Sequence, residues 1–169
     1  HDLTQVAFKS HTYRLNKLEN GEADVRSLCN TPEGYHWTGY ANGVVQVTDS
    51  KYQTVGYLAP SGQIVPTQVS FCPYPIYSIF CDTQGRMWIG TKGGGLYVRS
   101  HEGISHYEHN PANKASLPHN DIYDVVADRH GRIWVATYGG GLALIQEGNT
   151  GLYFYSMKNG MPWPKNRFA

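Results

Sequence analysis

Two aspartates, Asp82 and Asp128, stand 46 residues apart in one setting, Asp-x-x-Gly-x-x-Trp, completed by Gly85 and Trp88 and by Gly131 and Trp134. A pair of carboxylates is what hydrolysis of a glycosidic bond demands. A carboxylate ahead of a glycine also builds a turn, accepting backbone N–H bonds while the glycine takes positive φ. A third setting decides between the two. Gly34 and Trp37 repeat the pattern upstream, but Thr31 stands where the aspartate would be. A hydroxyl preserves a turn and abolishes a general acid, so Asp82 and Asp128 read as folding residues.

The other chemistry-bearing types lead to similar readings. Eight histidines are present, and none falls at a ligand spacing. His106 and His109, three apart in a strand and its exit, face opposite sides, so no metal is expected. Gly-x-Ser-x-Gly, a Walker loop and His-Glu-x-x-His are all missing, and no cofactor is expected. The triple glycines Gly93–Gly95 and Gly139–Gly141 precede strands, with no helix N-terminus to hold a phosphate. Three cysteines are neither a disulfide framework nor a metal motif. Cys29 and Cys81 read as small buried residues of first strands, offset by one position and hence aimed at opposite faces, which argues against a bond. Cys72 precedes a proline in a loop, where it could be exposed.

What must position these residues is a repeat. IYSIFCDTQGRMWIGTKGGGL, from Ile76 to Leu96, returns without a gap as IYDVVADRHGRIWVATYGGGL, from Ile122 to Leu142. A weaker copy, VRSLCNTPEGYHWTGYANGVVQV, runs from Val25 to Val47 at an offset of 51 residues. Each copy holds two short β-branched and aromatic runs around the Asp turn, then a glycine reversal into two more. Four strands in about 46 residues without helical periodicity describe one blade of a β-propeller. Trp88 and Gly90 point one way along their strand, Met87 and Ile89 the other. Both faces are apolar or small, as in a blade packed between neighbours. Trp37, Trp88 and Trp134 are read as packing, with a small residue nearby leaving room for a large one of the next blade.

The fold expected is all-β, a partial β-propeller of four-stranded antiparallel blades. Residues 1–20 read as closing strands of a preceding blade, including Val6 to Leu15. Residues 21–75 form a blade with a long exit loop, 76–121 a blade and its inter-blade loop, and 122–165 a third blade. Residues 166–169 begin the next copy, since Pro164, Asn166 and Phe168 each lie 46 residues after a counterpart. Three blades cannot close a ring, so either further blades of a parent chain or a second copy is expected to complete it.

If strands alternate in direction, the glycine turns and inter-blade loops share one face. The residues placed there are Tyr40, Asn42, Thr91, Lys92, Asn120, Asp121, Thr137, Tyr138, Trp163, Asn166 and Arg167. Rings mixed with amide, hydroxyl and cationic donors suit sugars, whose C–H faces stack on aromatics while hydroxyls take hydrogen bonds. With 14 basic and 13 acidic residues, the chain offers no electrostatic footprint for nucleic acid or a membrane surface. No apolar run approaches the roughly 20 residues of a membrane span.

The pattern I-x-x-(I/V)-x-x-D-x-x-G-x-(I/M)-W-(I/V)-(G/A)-T-x-GGGL resembles the two-component regulator propeller repeat. The segment NPANKASLPHND, Asn110 to Asp121, is similar to the linker that introduces such repeats. The likeness covers Ile76 to Ile145 closely and Val25 to Val47 less so. Departures are Thr31 for Asp, Thr38-Gly39-Tyr40 for apolar-Gly-Thr, and a longer connection from Leu58 to Pro75. The resemblance implies the periplasmic sensor region of a hybrid histidine kinase, often one controlling polysaccharide use. It implies an oligosaccharide partner and no chemistry in the blades. Two rivals remain. An enzyme propeller, a glycosidase or polysaccharide lyase, would need paired carboxylates or a Tyr/Glu/Arg cluster at the axis, where Asp121 is the only acidic residue placed. A WD-type scaffold would carry Gly-His and Trp-Asp signatures, which are missing.

Overall fold

The computed structural model describes residues 25–157. The strands expected between Val6 and Leu15, the copy beginning at 166, and the candidate residues Trp163, Asn166 and Arg167 lie outside that range. Within it the chain is all-β. The first sheet holds β1 (Val25–Asn30), β2 (His36–Tyr40), β3 (Val45–Thr48), β4 (Thr54–Leu58) and β5 (Ile64–Val65). The second holds β6 (Ile76–Cys81), β7 (Met87–Thr91), β8 (Leu96–Ser100) and β9 (Gly103–Tyr107). The third holds β10 (Ile122–Ala127), β11 (Ile133–Thr137), β12 (Gly141–Gly148) and β13 (Gly151–Ser156). Every sheet is an antiparallel meander in chain order, one propeller blade each.

The repeat fixes register as well as strands. Cys29 pairs with Trp37, Phe80 with Trp88, and Val126 with Trp134. The ladder also slips at one equivalent place in all three blades, between Val25 and Ser27, Ile76 and Ser78, and Ile122 and Asp124. The residues left over in these bulges are Arg26, Tyr77 and Tyr123. β6 touches both β1 and β10, so the first strands are the innermost and surround a common axis.

Two apolar layers separate the blades. Trp37, Val45, Val47 and Leu58 of the first pack against Ile76, Ile79, Met87 and Ile89 of the second. Trp88, Leu96 and Val98 of the second pack against Ile122, Val125, Val135 and Ala143 of the third. Met87 and Ile89 thus face backward and Trp88 forward, following strand alternation. The glycine two places after Trp37 and after Trp88 admits the opening isoleucine of the next blade. A Cβ at Gly90 would lie 2.5 Å from Cγ2 of Ile122, and one at Gly39 would collide with Cγ2 of Ile76. Both isoleucines are fully buried.

Two local expectations need correction. The connection after Leu58 is not a plain loop: Ile64 and Val65 add a fifth strand to the first sheet. Its turn is stapled to the second blade, where Nε of Arg99 donates to Gly62 O at 2.7 Å and Ile104 packs on the same glycine. Cys72, read as a residue that could be exposed, is buried in the first inter-blade layer, and its thiol lies 3.5 Å from Tyr74 O. The loop carrying it folds inward because Phe71 N–H bonds Gly43 O. Cys29 and Cys81, expected to aim apart, both pack in the layer between the first two blades, half-buried and unbridged, and burial pushes the Cys29 thiol up to about 11.

Candidate functional site

At one end of the blades lie the Asp turns. Oδ1 of Asp82 accepts the N–H groups of Gln84 and Arg86, both at 2.9 Å. Oδ2 accepts Arg86 Nε at 2.6 Å and the Trp88 indole N–H at 2.9 Å. Asp128 repeats the set with His130, Arg132 and Trp134. Burial alone would raise the Asp82 pKa, but the bonds from Trp88 and Arg86 outweigh it and hold the carboxyl below its ordinary range. In the first blade Thr31 Oγ1 accepts Tyr35 N–H at 3.1 Å, keeping the turn bond without the indole bond. Trp37 is covered instead by the guanidinium of Arg99 from the next blade, 5.2 Å from its ring centre.

At the other end the glycine turns meet the inter-blade loops. Gly93 and Gly95 both donate to Asn120 O, at 3.1 and 3.0 Å. Lys92 and Asp121 form an antiparallel bridge, and Tyr138 N–H donates to Asp121 O at 2.9 Å. Asn120 Oδ1 receives His109 N–H at 2.7 Å, and Asp121 N–H donates to His119 Nδ1 at 2.9 Å. Lys92, Asn120, Asp121 and Tyr138 are therefore brought together as one hydrogen-bonded patch. Lys92 and Tyr138 are exposed, while Asn120 and Asp121 are half-buried.

The remaining expected face residues divide. Asn42 is exposed, one blade away, with Oδ1 accepting Val44 N–H. Thr137 Oγ1 ties its own turn to Gly141 O at 2.8 Å. Tyr40 and Thr91 do not present themselves to a ligand. Tyr40 is 1% exposed, its hydroxyl donates to Gln46 Oε1 at 2.8 Å, and burial pushes its pKa up to about 12. Thr91 is wholly buried, donating to Gly95 O and accepting Gly94 N–H. Both close their strands at the turn, where alternation points the side chain between blades.

A second group, which a reading centred on turns misses, lines the axis. A cavity of about 350 Å³ is bounded by Arg26, Ser27, Tyr77, Ser78, Tyr123 and Asp124 from all three first strands. Tyr123 is 57% exposed and stands edge-on to Tyr138 at 5.1 Å, and Tyr77 meets the same ring at 6.4 Å. Ser78 Oγ donates to Asp124 Oδ1 at 3.1 Å across the blade boundary. Asp124 thus adds a second carboxylate to the axial end of the molecule beside Asp121. The repeat carried the signal, because Arg26, Tyr77 and Tyr123 are equivalent positions, as are Ser27, Ser78 and Asp124.

Comparison with known proteins follows the same lines. The family described as two component regulator propeller matches residues 70–93 and 116–139. The chain is similar to the extracellular domain of a B. thetaiotaomicron protein described as a one component system, at 26% identity and TM-score 0.61. That likeness covers 79% of this chain and 17% of the other. A second structure, described as the extracellular domain of a hybrid two component system from B. thetaiotaomicron, gives 27% identity and TM-score 0.59 over 76% and 17%. This chain thus spans about a sixth of those proteins. A virginiamycin B lyase from Staphylococcus aureus shares the fold alone, with 14% identity and TM-score 0.57 over 83% of this chain and 44% of that one. No curated protein matches the sequence. The Trp-bearing motif at 70–93 and 116–139 matches the two-component regulator propeller repeat, and the blades around it are similar to those extracellular domains.

Proposed function

We propose that this chain is part of the periplasmic sensor propeller of a hybrid two-component regulator and engages an oligosaccharide signal without turning it over. The observation that carries this reading is the shared repeat, together with 26–27% identity to extracellular domains of signalling proteins. The site assigned to the signal is the glycine-turn face. There Lys92, Asn120, Asp121 and Tyr138 offer a cation, an amide, a carboxylate and a ring on one backbone-bonded patch. A saccharide needs this combination of stacking surface and fixed polar partners. Fixing the patch by backbone bonds limits the entropy lost on binding, which favours recognition over loop remodelling. The remaining blades come from the rest of a parent chain or a second copy, and any kinase activity belongs to the parent.

The test compares binding with turnover. Oligosaccharides retained by the chain on a glycan array should be recovered intact after prolonged incubation. Tyr138→Ala and Lys92→Ala should each weaken binding by about fivefold to tenfold. Shortened products would make it an enzyme, and unchanged affinity in both variants would move the site elsewhere.

A further inference from the structure

Each first strand slips its ladder by one residue at the same place, and the extra residues are Arg26, Tyr77 and Tyr123. A bulge releases a side chain from strand alternation and re-aims it, and bulges concentrate beside functional sites. Here all three line the same axial cavity of about 350 Å³. A structural device repeated across blades that differ elsewhere thus delivers one guanidinium and two phenol rings to one space. Both rings are accessible in part: Tyr123 is exposed and Tyr77 half-buried. Tyr138 joins them from the third glycine turn, nearly perpendicular to each, at interplanar angles of 74° and 85°.

We infer that this axial cavity is a subsite for a single neutral pyranose ring of a longer saccharide. The inference rests on the oligosaccharide reading proposed above and places its centre on residues that reading does not use. The volume falls within the roughly 300–1,000 Å³ of small-ligand sites, at the small end where one ring fits. Tyr77 and Tyr123 supply surfaces for the C–H face of a sugar. The ring hydroxyls meet Arg26, whose guanidinium only donates, and Asp124, which only accepts when ionised. Asp124 Oδ1 is held by Ser78 Oγ at 3.1 Å and by Val125 N–H at 2.9 Å, which fixes the carboxylate, and no described residue bonds Oδ2. A uronic acid or sulfated ring would bring an anion toward Asp124, whose carboxylate is held in place by Ser78 and Val125, whereas a neutral ring brings hydroxyls that can donate to it.

The full chain is screened on an array of neutral and acidic oligosaccharides, and each hit is measured by calorimetry. Tyr77→Ala and Tyr123→Ala are each expected to weaken a neutral hit by about tenfold, a loss of about 1.4 kcal/mol. Asp124→Asn should weaken it while leaving the Ser78 contact possible. Tyr35→Ala, at the opposite end of the first blade, serves as the control and should bind as the parent does. Circular dichroism confirms that each variant keeps its strands. Neutral hits that ignore all three axial substitutions but respond to Tyr138→Ala and Lys92→Ala overturn the subsite and leave the sensing proposal standing. Hits confined to acidic glycans overturn the neutral-ring assignment. An array without any hit overturns both.

Discussion

Asp82 joins four donors with one carboxylate: two backbone N–H groups, the Arg86 guanidinium and the Trp88 indole. Trp88 is 1% exposed, so its N–H has no water to turn to. Asp82→Asn places an amide N–H₂ against donors whichever way it is flipped. The expected cost is about 1–3 kcal/mol of unfolding free energy, read from urea denaturation. Asp82→Ala should cost at least as much, and a loss below about 0.5 kcal/mol in both variants would contradict the network's role. The sign of the pH dependence follows from the lowered pKa. A carboxyl held below its unfolded value contributes stability that is complete above about pH 4 and is lost as pH falls through the folded pKa. Asp128, likewise lowered, adds to the same acid limb. The parent should therefore lose stability on acidification below about pH 4, and Asp82→Asn should flatten that loss in thermal melts taken across the range.

At the level of strands and blades, the contact between one blade's small residue and the next blade's first isoleucine sets how closely sheets approach. Gly90→Val would drive two methyl groups into the space held by Ile122, whose Cβ lies only 2.9 Å from a built Cβ. Overpacking of this kind typically costs about 1–3 kcal/mol. Ile122→Ala alone should destabilise by about 2–5 kcal/mol through the cavity it leaves. The double variant should be less destabilised than the sum, because each change relieves the other's defect. Strict additivity would mean that the two residues do not share the space described. Such elements were largely legible beforehand. Repeat spacing located the strands, and alternation along β7 placed Met87 and Ile89 backward and Trp88 forward. What the sequence hid has physical reasons. Ile64–Val65 is too short for alternation to show, and its pairing is imposed by the turn docking on Arg99 and Ile104. Tyr40 and Thr91 look like loop residues by position, but they are the last rungs of buried strands. Tyr77 and Tyr123 are not legible in the sequence because a bulge, invisible to period-two counting, turns them toward the axis.

Across the whole molecule the third blade differs from the second in what covers it. Leu96 and Phe80 pack against the third blade, while their counterparts Leu142 and Val126 are 40% and 45% exposed. An apolar sheet face of this kind associates in water. The isolated chain is expected to self-associate at micromolar concentration through that face, as measured by analytical ultracentrifugation. Val126→Glu combined with Leu142→Lys should shift it toward monomer without loss of strand content. A parent chain that stays monomeric at high concentration would show that the face is satisfied in some other way.

The glycine and isoleucine that join neighbouring blades also give the array a polarity. Each unit offers a socket on its forward side and a plug at its start, and this part of the contact is the same at both joins. A 46-residue segment duplicated between Asp121 and Ile122 should therefore slot in without inventing an interface, whereas the same segment reversed in order would find two sockets face to face. Length can change by whole units while the plug and socket stay the same, which lets a propeller of this build widen its ring without redesigning its walls.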